Sequence, residues 1–111
     1  MLTIDALRTF GANVDEGLHR CMGNEAFYLR MVQMALADSG FAELGEALGK
    51  NDLTAAFEAA HKLKGALGNL SLTPVFEPTS ELCELLRNQT PGDYQALYEA
   101  ILSRKDALAA L

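Results

Sequence analysis

The chain has 111 residues and a formal charge of −6, enough for one domain over residues 1–111 that buries about two-thirds of its unfolded surface. Half of the residues are hydrophobic, and Leu and Ala dominate. Valine occurs only at Val14, Val32 and Val75 and isoleucine only at Ile4 and Ile101, a composition that favours an all-helical protein. A pI near 4.7 argues against nucleic acid as a partner, because a phosphate backbone is gripped through clustered Lys and Arg that this chain lacks.

Thr3 is suited to cap a short helix through Phe10 that stops at Gly11. This opening stretch contains Asp5 and Arg8 and no continuous apolar run, so it reads as neither a signal peptide nor a membrane span, and a cytoplasmic, autonomous protein is expected. Asn13 caps a second short stretch, Val14 to Met22, and Gly23-Asn24 ends it and caps the next. From Glu25 to about Asp38, Phe27, Tyr28, Met31, Val32, Met34, Ala35 and Leu36 leave little polar surface, as in a central helix or one with an exposed docking face. Ser39-Gly40 interrupts, Phe41, Leu44 and Leu48 resume the pattern, and Gly49-Lys50-Asn51 turns the chain. Cys21 and Cys83 are far apart, belong to no Cys-x-x-Cys motif and lack zinc-ligand neighbours, so two reduced, half-buried thiols are expected.

Asn51 or Asp52 caps a helix whose apolar residues Leu53, Ala56, Phe57, Ala60, Leu63, Leu67 and Leu70 recur at spacings of three and four. Thr73-Pro74 reads as N-cap and first helical residue of the next helix, although Pro78 implies that this helix either starts there or is kinked. Thr90-Pro91 repeats the signal before a final helix carrying Tyr94, Leu97, Tyr98, Ile101, Leu102, Leu108 and Leu111. Long segments at about 25–49, 52–71, 74–88 and 91–110 with short connections predict an antiparallel up-and-down four-helix bundle, all-α, with the first short helices as a lid.

On the helix after Asp52, His61 lies roughly 130° from the centre of the apolar stripe, at the edge of the core where its ring reaches water. Gly65 and Gly68 sit on its side although glycine costs a helix about 1 kcal/mol relative to alanine, which suggests that something comes close to that face. A neutral imidazole is a nucleophile at cytoplasmic pH. Lys64, one turn on, can set its ammonium beside an anion, a contact worth about 1.5–3 kcal/mol if partly desolvated. A lone histidine at a helix edge is usually a rim residue, Lys64 alone could cover Leu63 and Leu67, and Gly65 could simply allow close helix packing. His19 has no comparable setting and reads as structural or solvated.

The string His61-x-Leu63-Lys64-Gly65 in such a helix resembles the signature of histidine-containing phosphotransfer (HPt) domains, the intermediates of multistep two-component phosphorelays. A further match, Val14-Asp15-Glu16-Gly17-Leu18 with Gly23-Asn24 and Tyr28, is similar to a stretch common in bacterial members. The resemblance implies that His61 is the phosphoacceptor, taking a phosphoryl group from a receiver-domain aspartate and passing it to another receiver. It makes Lys64 the charge partner and Gly65 the clearance for the receiver. Lys62, Glu58, Gly68 and Gln33 are the expected partner-binding residues, with the apolar face of the Glu25–Asp38 helix helping to dock response-regulator receivers and a sensor or hybrid kinase. It further implies a monomeric phosphocarrier that binds no cofactor or metal itself, Mg²⁺ being supplied by the receiver. No Gly-rich nucleotide loop suggests a kinase, and two histidines give too few ligands for a metal bundle.

Two positions depart from the pattern. Many members have a glycine near Ser71 and a glutamine on the following helix where this chain places Cys83, and Gln33 is the candidate to replace that polar support. The alternative function is accordingly a non-catalytic helical adaptor that binds receivers without exchanging phosphate.

Overall fold

A computed structural model describes residues 1–111. Seven helices, α1 (Ile4–Phe10), α2 (Val14–Arg20), α3 (Glu25–Leu36), α4 (Gly40–Gly49), α5 (Leu53–Asn69), α6 (Thr73–Arg87) and α7 (Tyr94–Ala109), form an elongated body of 40 × 24 × 20 Å with no strand. Helices α4, α5, α6 and α7 neighbour one another in chain order, and α7 returns to α4 to close an antiparallel bundle. The core runs along its axis through Leu44, Leu63, Leu67, Leu82, Cys83, Leu86 and Ile101. No helix is long and apolar enough to cross a membrane.

The helix starts follow side-chain chemistry. Thr3, Asn13, Asn24 and Asp52 each accept a hydrogen bond from the backbone N–H three residues on, as N-caps do. Two starts differ from the sequence expectation. Helix α6 is preceded by Leu72, so Thr73 is already helical, and α7 is capped by Asp93, which accepts from Ala96 N–H, and not by Thr90. Asp93 leaves the Pro91-Gly92 pair outside the helix as a bend.

Helix α6 neither starts nor breaks at Pro78, which lies inside it. Proline offers no N–H to the carbonyl four residues back, and that carbonyl, Pro74 O, instead accepts from Arg104 Nη1 of α7 at 3.1 Å. The defect is repaired from a neighbouring helix, and the repair ties α6 to α7.

Helices α3 and α4 are separated at Ala37–Ser39, with Asp38 Oδ1 accepting from Gly40 N–H at 2.7 Å. Gly40 is buried, and a Cβ there would stand 3.0 Å from the Leu63 side chain, so the missing side chain is what lets the start of α4 press against α5. On α3, Tyr28, Val32 and Ala35 face the core, while Phe27 and Met34 remain largely exposed.

At its C-terminus α5 ends in a Schellman motif, with Leu72 N–H on Leu67 O, Ser71 N–H on Gly68 O, and Ser71 at φ +54. Glycine would adopt this left-handed conformation without the Cβ penalty that Ser71 carries. The N-terminal segment fastens onto this corner. Arg20 donates to Gly68 O, Asn13 N–H to Ser71 O, and the buried Tyr28 hydroxyl to Leu70 O. The short helices are thus a fixed cap over one end of α5. Both thiols are buried, deeper than the half-buried state expected, and Cys83 has no accessible surface.

Candidate functional site

The middle of α5 carries the site because its apolar stripe turns Ala56, Ala60, Leu63 and Leu67 inward, which leaves the intervening residues on the open flank. His61 is exposed. Its imidazole stacks on Phe57, one turn earlier, with ring centroids 5.7 Å apart and planes 20° from parallel. Such a contact holds the ring orientation without occupying either nitrogen. The guanidinium of Arg87, on α6, lies 5.0 Å above the same Phe57 ring.

Lys64 projects from α5 toward α6. Its Nζ donates to Glu84 Oε1 at 3.4 Å, and Arg87 Nε meets the same oxygen at the same distance. The lysine side chain is 28% exposed against 48% for Glu84, so the aliphatic stem packs on the bundle while the ammonium stays near the surface. Beneath this network Cys83 is buried, and burial pushes its thiol pKa up against the opposing pull of the nearby Lys64 and Arg87 cations. The position at which the resemblance places a polar side chain is therefore core packing, and the polar residue that α6 offers is the next one, Glu84.

The two glycines differ. A Cβ on Gly65 would meet nothing within 4 Å, whereas one on Gly68 would stand 3.2 Å from the Phe76 ring. What approaches Gly68 is a side chain of the same protein. Gly65 leaves a bare, exposed strip of helix beside His61 that no part of the fold uses, so internal helix packing does not explain it.

His61, Lys64, Gly65 and Gly68 line one groove of about 540 Å³ whose opposite wall includes Arg20 and Phe76. The remaining expected partner residues lie elsewhere. Glu58 and Lys62 face the other flank of α5 and line a separate groove against α4 with Glu46 and Lys50. Gln33 is exposed on α3 and does not line the His61 groove, so it does not supply the missing polar support. His19 is exposed on α2, outside the groove.

Four residues that the sequence reading did not single out complete the site: Phe57, Glu84, Arg87 and Arg20. Phe57 stands four residues before His61, where helix side chains stack, and its spacing alone marks it only as part of the apolar stripe. Glu84 and Arg87 meet Lys64 across an interhelical gap whose register is not encoded in local spacing. Arg20 reaches the end of α5 from 48 residues away.

The family model of the Hpt domain matches residues 30–111. The chain belongs to the Hpt domain family. Members of this family are phosphocarriers in two-component relays and interact with receiver domains and kinases, which assigns the chain a phosphotransfer role in such a relay. The match takes in most of α3 and all of α4 to α7, while α1, α2 and their contacts on the α5 corner precede it. Neither curated proteins nor solved structures gave a match.

Proposed function

We propose that His61 is the phosphoacceptor of this Hpt domain and that it relays a phosphoryl group between the aspartates of two receiver domains. In the inward step an unprotonated imidazole nitrogen attacks the phosphorus of a receiver's aspartyl phosphate. An N–P bond forms, the P–O bond to the aspartate breaks, the carboxylate leaves with the electron pair, and the proton on the other ring nitrogen offsets the charge. The outward step is the reverse with a second receiver. Mg²⁺ and the residues around the aspartate belong to the receiver, and this chain contributes the nucleophile, its orientation on Phe57, the Lys64 cation and open approach over Gly65.

The observation that carries the reading is the exposed imidazole beside the unfilled strip at Gly65. Nothing inside the fold accounts for glycine there, and a partner approaching His61 in line needs that clearance. The exposed Phe27 and Met34 of α3 offer apolar docking surface, and Lys62 and Glu58 add charged surface on the other flank of α5. Incubation with a phosphorylated receiver is expected to give a base-stable, acid-labile label that His61→Gln eliminates. Wild-type protein left unlabelled by several receivers would overturn the reading.

A second reading, an adaptor that binds receivers without exchange, is favoured by the burial of Cys83 and by the engagement of Lys64 with Glu84. It predicts receiver binding unaffected by His61→Ala together with no transfer in the wild type.

A further inference from the structure

We propose that Glu84 is a positioning residue that holds Lys64 in the unphosphorylated protein and releases it to the phosphoryl group on His61. The inference rests on the carrier reading above and adds a residue and a sequence of events to it. Lys64 and His61 are neighbours at i and i+3 on one helix face, close enough for the ammonium to serve the imidazole. In the structure, however, that ammonium points to α6 and is bound by Glu84. An incoming phosphoryl group therefore meets a lysine that already has a partner.

The geometry provides for the exchange. A single oxygen of Glu84 takes both Lys64 Nζ and Arg87 Nε, each at 3.4 Å. When Lys64 turns to the phosphoryl oxygens, Glu84 keeps Arg87, its neighbour on α6, and is not left as an unpaired carboxylate between the two helices. Arg87 is itself braced over Phe57, the ring on which His61 stacks. The five side chains form one run of contacts from His61 through Phe57, Arg87 and Glu84 to Lys64, in which only the Lys64 contact joins α5 to Glu84 by charge. Glu84 sets the starting point of Lys64, and the strength of that contact subtracts from the stabilisation of the phosphorylated state.

The direction of the effect follows. Replacing Glu84 by glutamine removes the competing anion, frees Lys64 and favours phosphohistidine. The pair is partly solvated, so the expected change is about two- to fivefold, the scale of an exposed ion pair. Loss of a negative charge near a phosphoryl group would also favour phosphorylation without involving Lys64, and a double-mutant cycle separates the two routes.

The test uses the full chain as wild type, Glu84→Gln, Lys64→Ala and the double variant, phosphorylated by phosphoramidate, which gives up its phosphoryl group to imidazole as ammonia leaves. Phosphorus NMR follows the plateau of phosphohistidine and its decay, with thermal melts checking that each variant is folded. Glu84→Gln is expected to raise the plateau and slow the decay by that factor when Lys64 is present, and by less than half of it in the Lys64→Ala background. Equal effects in both backgrounds, or none in either, would overturn this inference alone, provided that the label depends on His61. Absence of His61-dependent label from both phosphoramidate and phosphorylated receivers would overturn the carrier reading and the inference with it.

Discussion

Gly65→Ala should make this protein more stable and a worse phosphate carrier. The substitution adds one methyl group to an exposed position in the interior of α5, and that methyl meets nothing within 4 Å. With no clash to offset it, the gain is the helix-propensity difference between alanine and glycine, about 0.5–1 kcal/mol. For a chain of 111 residues this raises the melting temperature by about 2–4 °C. The same methyl stands where a receiver must approach His61. Displacement of the reacting atoms by about 1 Å is enough to cost on the order of a hundredfold in rate, so transfer from a phosphorylated receiver should fall by about ten- to a hundredfold. Phosphoramidate is small and does not need the strip, and its reaction with His61 should change less than twofold, a bound set by the absence of any new contact to the imidazole. Melting curves, single-turnover transfer from a receiver and the phosphoramidate reaction read the three quantities on one protein. Receiver transfer at the wild-type rate, or equal loss with both donors, would refute the assignment of Gly65 to partner clearance.

Two further outcomes follow from the fold. Burial raises the Tyr28 pKa to about 12, with a smaller contribution from Cys21, whereas an unfolded tyrosine ionises near 10. The folded chain therefore binds more protons than the unfolded one between about pH 10 and 12, so the stability contributed by Tyr28 is complete below that window and is lost across it as pH rises, on the order of 2 kcal/mol. Tyr28→Phe should cost about 1 kcal/mol at neutral pH by breaking the bond to Leu70 O and should flatten the alkaline decline, both measurable by urea unfolding at pH 7 and about pH 11; an unchanged alkaline slope would count against this account. At the end of α6, Gln89 sits exposed at φ +50 in a Schellman motif closed by Thr90 N–H on Leu85 O. Gln89→Gly should stabilise the protein by about 0.5–1 kcal/mol through relief of the left-handed strain, and a lower melting temperature would contradict it.

The all-helical bundle was legible because its determinants are local: apolar spacing on α5, α6 and α7, and Thr3, Asn13, Asn24 and Asp52 as caps. The misreadings arose where local rules compete. Thr73-Pro74 and Thr90-Pro91 both look like helix starts, yet Leu72 and Asp93 take the N-cap positions. Pro78 looks disruptive until Arg104, 26 positions on, fills the empty place at Pro74 O. At the site, the spacing of His61, Lys64 and Gly65 puts them in one groove, since residues at i, i+3 and i+4 lie on one side of a helix. Lys62, Glu58 and Gln33 lie outside that groove, because local spacing reveals neither which neighbouring helix each side of α5 faces nor where α3 sits against it. The Glu84–Arg87 pair was equally hidden, since its meeting with Lys64 depends on the relative register of α5 and α6.

Gly40 has a bearing on His61 although the two never meet. It touches Leu63, two residues along α5 and on the side turned away from the groove, while Phe76 presses Gly68 from the front. The helix is thus seated between two absent side chains, and its depth in the bundle is a balance between the corner before α4 and the first turns of α6. A side chain added at either point would push α5 as a rigid rod, since it is one unbroken helix from Leu53 to Asn69. At Gly40, which is buried, such a change would shift His61 from a place that no partner reaches. The reach of the imidazole is set from behind as much as by the residues around it.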